Sequence, residues 1–438
     1  MRIVQDWMPY KESLLFRWSD EYFKNSGQEA FSNEGKNKKH VVPNEMTNSI
    51  AHARSIANFV KDNLEFYPKD EKFKILEIGS GSGVFAKHFL ICARELNILD
   101  RIEYLVTDYS LVGLKQIQSN NILKEFIENK NYRFIHLDIL NPKDATDLDG
   151  NPYALENISA SILNYILCVL GQTFVRSSTE RGLQELYIRF KEQANTKFDL
   201  DYLESLLVEH EWRVYKTESQ TDLEKKFIDI LDEHNKSNDD QEYIAYCYKS
   251  LEVLDILLSI SNKNAFIYIA EMPNRVNAAS PYKIYANTIA QPINDGLIAN
   301  YVSSKKIEMI RSIDRHYPLV RIVIFNSPNK AELFIKRFTQ EYLEKNDSNL
   351  LIELRAMLSQ FSSRYSCSIM KVLLDRLFEI DKYSYESHLL RARYFFLNNE
   401  LSKAKSAYEL AEQLDHLGNL DVQGGNLKKL LELSCEKS

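Results

Sequence analysis

The chain has 438 residues, of which 44% are hydrophobic and 27% charged, with a formal net charge of −7 at pH 7. These are ordinary globular values for a chain too long for one compact core, so two or three domains are expected and extended disorder is excluded. The acidic balance argues against nucleic-acid binding and favours a basic protein or peptide partner, and no apolar run approaches the ~20 residues of a membrane span.

The first 40 residues mix aromatics (Trp7, Tyr10, Phe16, Trp18, Tyr22, Phe23) with charges and run into the polar stretch Ser32 to Lys39, which reads as a loop. After Pro43, the spacing of Ile50, Ala53, Ile56, Ala57, Val60 and Leu64 predicts a helix, with Thr47 as its N-cap. From Phe73, short apolar runs alternate with helical stretches, the pattern of a parallel sheet with crossover helices. Six strands are predicted, over 74–77, 103–107, 132–137, 160–164, 266–270 and 321–325. The fourth and fifth are separated by roughly 100 residues, too many for a simple loop, so an inserted subdomain is expected there. It contains strand-like pieces at 186–190 and 212–215 and helices near 222–234 and 241–259. Past Ser327 and Pro328, placed as N-cap and first-turn residues, the chain turns helical. A period of about 34 residues pairs Ile380-Asp381 with Leu414-Asp415 and Leu374 with Tyr408. Ala392, Phe395, Ala404, Tyr408 and Ala411 resemble the packing residues of a tetratricopeptide repeat; a plain helical hairpin is the alternative.

The strongest motif is Ile75-Leu76-Glu77-Ile78-Gly79-Ser80-Gly81-Ser82-Gly83-Val84. A buried strand runs into three alternate glycines and then a helix. Glycine is required where the backbone takes unusual dihedrals and a ligand lies against the turn. The helix N-terminus offers free N–H groups to an anion, and Glu77 is placed to favour a cation. A dinucleotide turn would need its third glycine at position 84, which is Val84, so a nicotinamide oxidoreductase is a distant alternative. The next strand ends at Asp108, 25 residues after Gly83, and the third is followed by Asp138. Acids at the ends of adjacent parallel strands line one crevice.

This Glu-x-Gly-x-Gly-x-Gly arrangement resembles motif I of class I S-adenosylmethionine-dependent methyltransferases. The resemblance implies a Rossmann-like, mostly parallel seven-stranded sheet and S-adenosyl-L-methionine as cofactor. Its site would comprise Glu77, Gly79, Ser80, Gly81 and Gly83, with Asp108 at the ribose, Asp138 at the adenine, and Tyr109, Ile139 and Asn164 as further cofactor-binding residues. At the fourth strand, Asn164 and Tyr165 would face the methyl acceptor, Asn164 accepting a hydrogen bond from an acceptor amine. The order of elements is similar to the MidA-type methyltransferases, which include a mitochondrial complex I assembly factor that methylates a protein arginine. Shared features are Pro43-Asn44-Glu45 before a helix, the glycine motif, the Asn-led fourth strand and the long insertion.

Those proteins carry acids after the fourth strand, where this chain has Asn164-Tyr165, Cys168 and Leu170-Gly171. A guanidinium thereby loses its bidentate partner, unless Glu271 or Glu45 substitutes. The segment Tyr282 to Asp295 is a further candidate for the acceptor pocket. The nine histidines show no metal-binding spacing, and the five cysteines are too scattered for a zinc site, so no metal is expected. With no secretory signal pattern at Met1-Arg2-Ile3, a cytoplasmic location is expected. The expected division is an N-terminal helical or lid segment (1–65), a methyltransferase domain (66–340) with its insertion at 171–262, and a helical tetratricopeptide-like region (341–438). The competing expectation is a catalytically silent scaffold that binds partners through its C-terminal helices.

Overall fold

The computed structural model describes residues 2–31, 46–126, 131–178, 182–192, 206–216, 220–236, 243–273, 282–285, 288–313, 319–326, 331–345, 347–360, 367–416 and 420–435. β1 (Ile3–Pro9), α1 (Leu14–Ser26) and α2 (Ile50–Leu64) precede the alternating part of the chain. That part runs β2 (Phe73–Ile78), α3 (Val84–Glu95), β3 (Ile102–Asp108), α4 (Leu111–Ser119), β4 (Tyr132–His136), β5 (Thr146–Asp147) and β6 (Ile158–Asn164). The insertion contributes β7 (Thr173–Ser178), β8 (Gly182–Lys191), β9 (Leu207–Val214), α5 (Asp222–Lys236), β10 (Ile244–Tyr246) and α6 (Tyr248–Ile260). β11 (Ser261–Glu271), β12 (Lys283–Tyr285), β13 (Thr288–Ala290), α7 (Asp295–Ser304), β14 (Glu308–Ile313) and β15 (Val320–Phe325) follow. The C-terminal helices are α8 (Ala331–Thr339), α9 (Asp347–Gln360), α10 (Cys367–Ile380), α11 (Tyr385–Leu397), α12 (Leu401–Leu414) and α13 (Leu420–Cys435).

The central sheet has the order β14-β15-β11-β6-β2-β3-β4-β5. The five inner strands β11, β6, β2, β3 and β4 are parallel, whereas β15 is antiparallel to both β11 and β14. Eight strands stand where seven are predicted, because Thr146 and Asp147 pair with β4 as a two-residue edge. Alternate strand residues feed opposite cores, as the two-residue side-chain period requires. Ile75, Tyr104, Ile162, Tyr268 and Val323 pack with α2, α3 and α8, while Leu76, Leu105, Leu163, Ile267 and Ile322 pack with α5, α6 and α7. A sheet buried on both faces explains the near-continuous apolar runs.

The structure corrects several local expectations. The N-terminal segment is not wholly helical: β1 pairs antiparallel with β8 and so belongs to the insertion's sheet. The N-cap of α2 is Ser49, whose Oγ accepts the His52 N–H, rather than Thr47. The helix expected over 241–259 starts at Tyr248, because Ile244–Tyr246 pairs with β7 as β10. Pro43, Asn44, Glu45, Ser327 and Pro328, like the stretch 32–39, lie outside the described residues. α11 and α12 pack as a hairpin around buried Ala392, Ala404 and Ala411. No described helix is long and apolar enough to cross a membrane.

Candidate functional site

β2 leads into the glycine turn, where Gly79, Gly81 and Gly83 take φ of +67°, +53° and +76°. These are left-handed conformations that ordinary side chains adopt only under strain. Space is equally restrictive: a Cβ at Gly79 would lie 2.2 Å from Ile166 Cδ1, and one at Gly81 would lie 2.8 Å from Phe31 Cζ. The turn is fastened to β3, since the Ser80 N–H donates to the Thr107 carbonyl at 2.8 Å. Asp108 adds two further ties, accepting the Gly81 N–H on Oδ2 and the Ser110 N–H on Oδ1, both at 2.8 Å.

A cavity of about 660 Å³ lies at the carboxyl ends of β2, β3, β4 and β6. It brings together Glu77, Gly79, Ser80, Gly81, Asp108, Tyr109, Asp138, Ile139, Asn164 and Tyr165. Gly83 is the exception: it caps α3 and faces Ile117, where a Cβ would come within 2.8 Å, so it shapes the turn without lining the cavity. Glu77 is only 3% exposed and accepts the Tyr104 hydroxyl at 3.1 Å. Burial outweighs that hydrogen bond and pushes its carboxyl up to about 8. Burial also raises Asp108, against the pull of the two backbone amides. Asp138 accepts the Leu140 N–H (3.0 Å) and the Asn141 amide (2.7 Å), so it orders the loop after β4 as well as facing the cavity.

At the end of β6, Asn164 Oδ1 lies 3.0 Å from His52 Nε2 on α2, so the oxygen expected to meet an acceptor amine is already engaged. Asn164 Nδ2 is buried without a partner among the described residues. His52 is fully buried between Phe85 and Tyr268, and burial together with the positive charge of Arg321 drives its pKa down to about 3. The imidazole is therefore neutral and orients Asn164 rather than exchanging protons at neutral pH. Tyr165 has φ +55°, an uncommon conformation for a non-glycine residue at a site edge. Glu271 does not line the cavity: its Oε1 accepts the Leu167 N–H at 2.5 Å, which fixes the turn after β6.

Residues that sequence reasoning missed come from outside the glycine-motif unit. α1 places Phe16, Arg17, Asp20 and Phe23 along the cavity, and the insertion adds Tyr248 and Lys249. Thr288, Ile289 and Ala290, within the predicted segment 282–295, line it too. The N-terminal segment and insertion are held together by Lys11, which lies 2.6 Å from Glu224 and 3.4 Å from Glu185 with all three side chains at most 5% exposed. Ser19 Oγ meets Thr288 Oγ1 at 2.7 Å. Only long-range pairing brings these groups to the site, so no local motif could have announced them.

No protein-family model and no curated protein matches the chain. Among solved structures, it is similar to a candidate methyl transferase from Burkholderia thailandensis bound to S-adenosyl-homocysteine. That likeness has 11% identity, covers 85% of this chain and 84% of the other, and has a TM-score of 0.49. A candidate O-methyltransferase from Nostoc punctiforme is 10% identical over 62% of this chain and 55% of its own, with a TM-score of 0.33.

Proposed function

We propose that the chain is an S-adenosylmethionine-dependent methyltransferase whose cofactor site is the cavity beside the glycine turn. One observation carries this reading: a left-handed glycine turn, tied down by Asp108, opens on a cavity whose inner wall holds a buried carboxyl, Glu77, with no cation beside it among the described residues. A sulfonium or ammonium group suits that carboxyl better than the anionic pyrophosphate that a dinucleotide places at a glycine turn. Glu77 would neutralise positive charge, and the second lone pairs of the Asp108 oxygens would accept the ribose hydroxyls. Asp138 and Ile139 would border the adenine.

When bound, the cofactor supplies a methyl carbon open to in-line displacement. The chain's own contribution is then alignment and exclusion of water. His52 holds Asn164, the backbone at Tyr165 fixes the rim, and α1 covers the cavity. The acceptor is a protein, a peptide or a small molecule. Asp20 of α1 is a carboxylate at the cavity that the sequence at β6 does not provide. In the same reading, residues 66–340 are the methyltransferase unit, 171–262 its insertion, and 341–438 a tetratricopeptide-like region that docks a larger partner.

The test is affinity for S-adenosylhomocysteine in two variants. Gly81→Val should abolish binding by driving a side chain into the Phe31 ring. Asp108→Ala should weaken it by about 1.5–3 kcal/mol, the range of hydrogen bonds to a charged group. Wild-type affinity in both variants would remove the site from this cavity.

A further inference from the structure

A second cavity, of about 460 Å³, lies between α3, the turn after α4 and His416, which follows the end of α12. Its wall is formed by Lys87, Asn121, Ile122, Lys124, Glu125 and His416, none of which lines the glycine-turn cavity. Two basic groups meet there: Lys87 Nζ and His416 Nε2 are 2.8 Å apart. Among the described residues neither has an ion-pair partner, and Lys124 has neither an ion pair nor a side-chain hydrogen bond. Among the described residues the only acid of the wall, Glu125, is engaged with Arg94 at 2.9 Å.

Such a contact requires an imidazole lone pair facing the ammonium, so His416 stays neutral. Burial, then repulsion from Lys87 and His88, holds it down at about 4, against the attraction of Asp415 and Glu125. Burial lowers Lys87 as well. Basic groups crowded without a counter-ion are unfavourable, and an anion placed among them removes the penalty.

We propose that this cleft binds a phosphate group, held by Lys87, Lys124 and a protonated His416. A phosphate offers several acceptor oxygens to donors arriving from three separate elements, where a carboxylate has only two. Its charge lets His416 take up a proton, so binding is coupled to proton uptake and strengthens as pH falls toward the imidazole's ordinary range. The bound group links α3, which starts at the glycine turn, to the C-terminal helices.

The test is calorimetric titration of the full chain with inorganic phosphate at an ionic strength fixed by sodium chloride, paired with an NMR pH titration of His416. Saturable one-to-one binding is expected, weakened at least tenfold in Lys87→Met and in Lys124→Met, with the His416 midpoint moved upward by phosphate. Lys124 is exposed, so its variant keeps the test valid should Lys87→Met fail to fold. Glycerol 3-phosphate titrated in parallel separates the two sources of the group: the tighter binder identifies free phosphate or a phosphomonoester. No saturable binding of either, wild-type affinity in both lysine variants, or an unmoved His416 midpoint would overturn the proposal.

Discussion

Glu77 is the residue whose chemistry is most exposed to measurement. Its carboxyl sits near 8 in the ligand-free protein, so below that pH a cationic ligand must displace a proton before the charge can form. Affinity for S-adenosylmethionine should therefore rise by up to tenfold per pH unit as pH climbs toward 8 and level off above it; Glu77→Gln should flatten the profile. The ligand-free protein should behave oppositely. A folded-state pKa raised above the usual 4.5 gives stability that is fully present below 4.5 and is lost as pH rises through 8. Calorimetric titration and thermal melts across pH 5 to 9 (roughly the window of these shifts) check both signs, and a wild-type profile as flat as the variant's would show that Glu77 meets no cation. At this scale the sequence was informative where chemistry follows from a local motif. Glu77, Gly79, Gly81 and Asp108 could be placed by spacing along consecutive strands. His52 could not, because its role depends on a hydrogen bond to Asn164 across 112 positions.

Among elements, those with strong local patterns were legible and those that owe their conformation to a distant partner were not. β2, β3, β6, β11 and β15 have largely apolar, largely buried cores, such as Ala265 to Ala270 of β11 and Ile322 to Phe325 of β15. β1 has one buried residue, Gln5, and becomes a strand only by pairing with β8. β10 is three residues long and too short to stand out from the helical spacing that follows it, while β14, among the described residues, pairs only with β15 at the sheet's edge. The N-terminal segment's attachment to the insertion can be tested at Lys11, which counters the buried Glu185 and Glu224. Lys11→Met leaves two carboxylates without their cation, which costs roughly 3–5 kcal/mol when a buried pair is broken. Chemical denaturation should show that loss, and S-adenosylhomocysteine affinity should drop with it as α1 loosens from the cavity. A loss below about 1 kcal/mol, the range of solvated surface pairs, would mean the cluster is not a structural latch.

Across the whole molecule, the C-terminal helices are fastened to the α/β part rather than tethered beside it. Arg54 of α2 donates to the Ile380 carbonyl at 3.1 Å, and the Tyr383 hydroxyl donates to Glu95 of α3 at 2.6 Å. The junction is organised by fully buried Asp381, which Arg355 approaches at 2.5 Å and Ser384 at 2.6 Å. Burial alone would raise that carboxyl, but Arg355 and Ser384 hold it below its ordinary value. Its contribution to stability is thus present above about pH 4, the ordinary aspartate range, and lost as pH falls through the lowered value. Arg355→Met should destabilise the chain at neutral pH, with the gap to wild type closing under acid; a gap constant with pH would assign the loss to packing alone. The parallel sheet with crossover helices and the long insertion follow from patterns readable in the sequence, whereas the cover over the cavity arises only when the N-terminus and insertion meet. The most direct measurement is parallel calorimetric titration of the intact protein with S-adenosylmethionine, S-adenosylhomocysteine and NAD. Micromolar binding of the first two without NAD is the expected result; binding of NAD alone, or of none of the three, would contradict a methyltransferase cofactor site at the glycine turn.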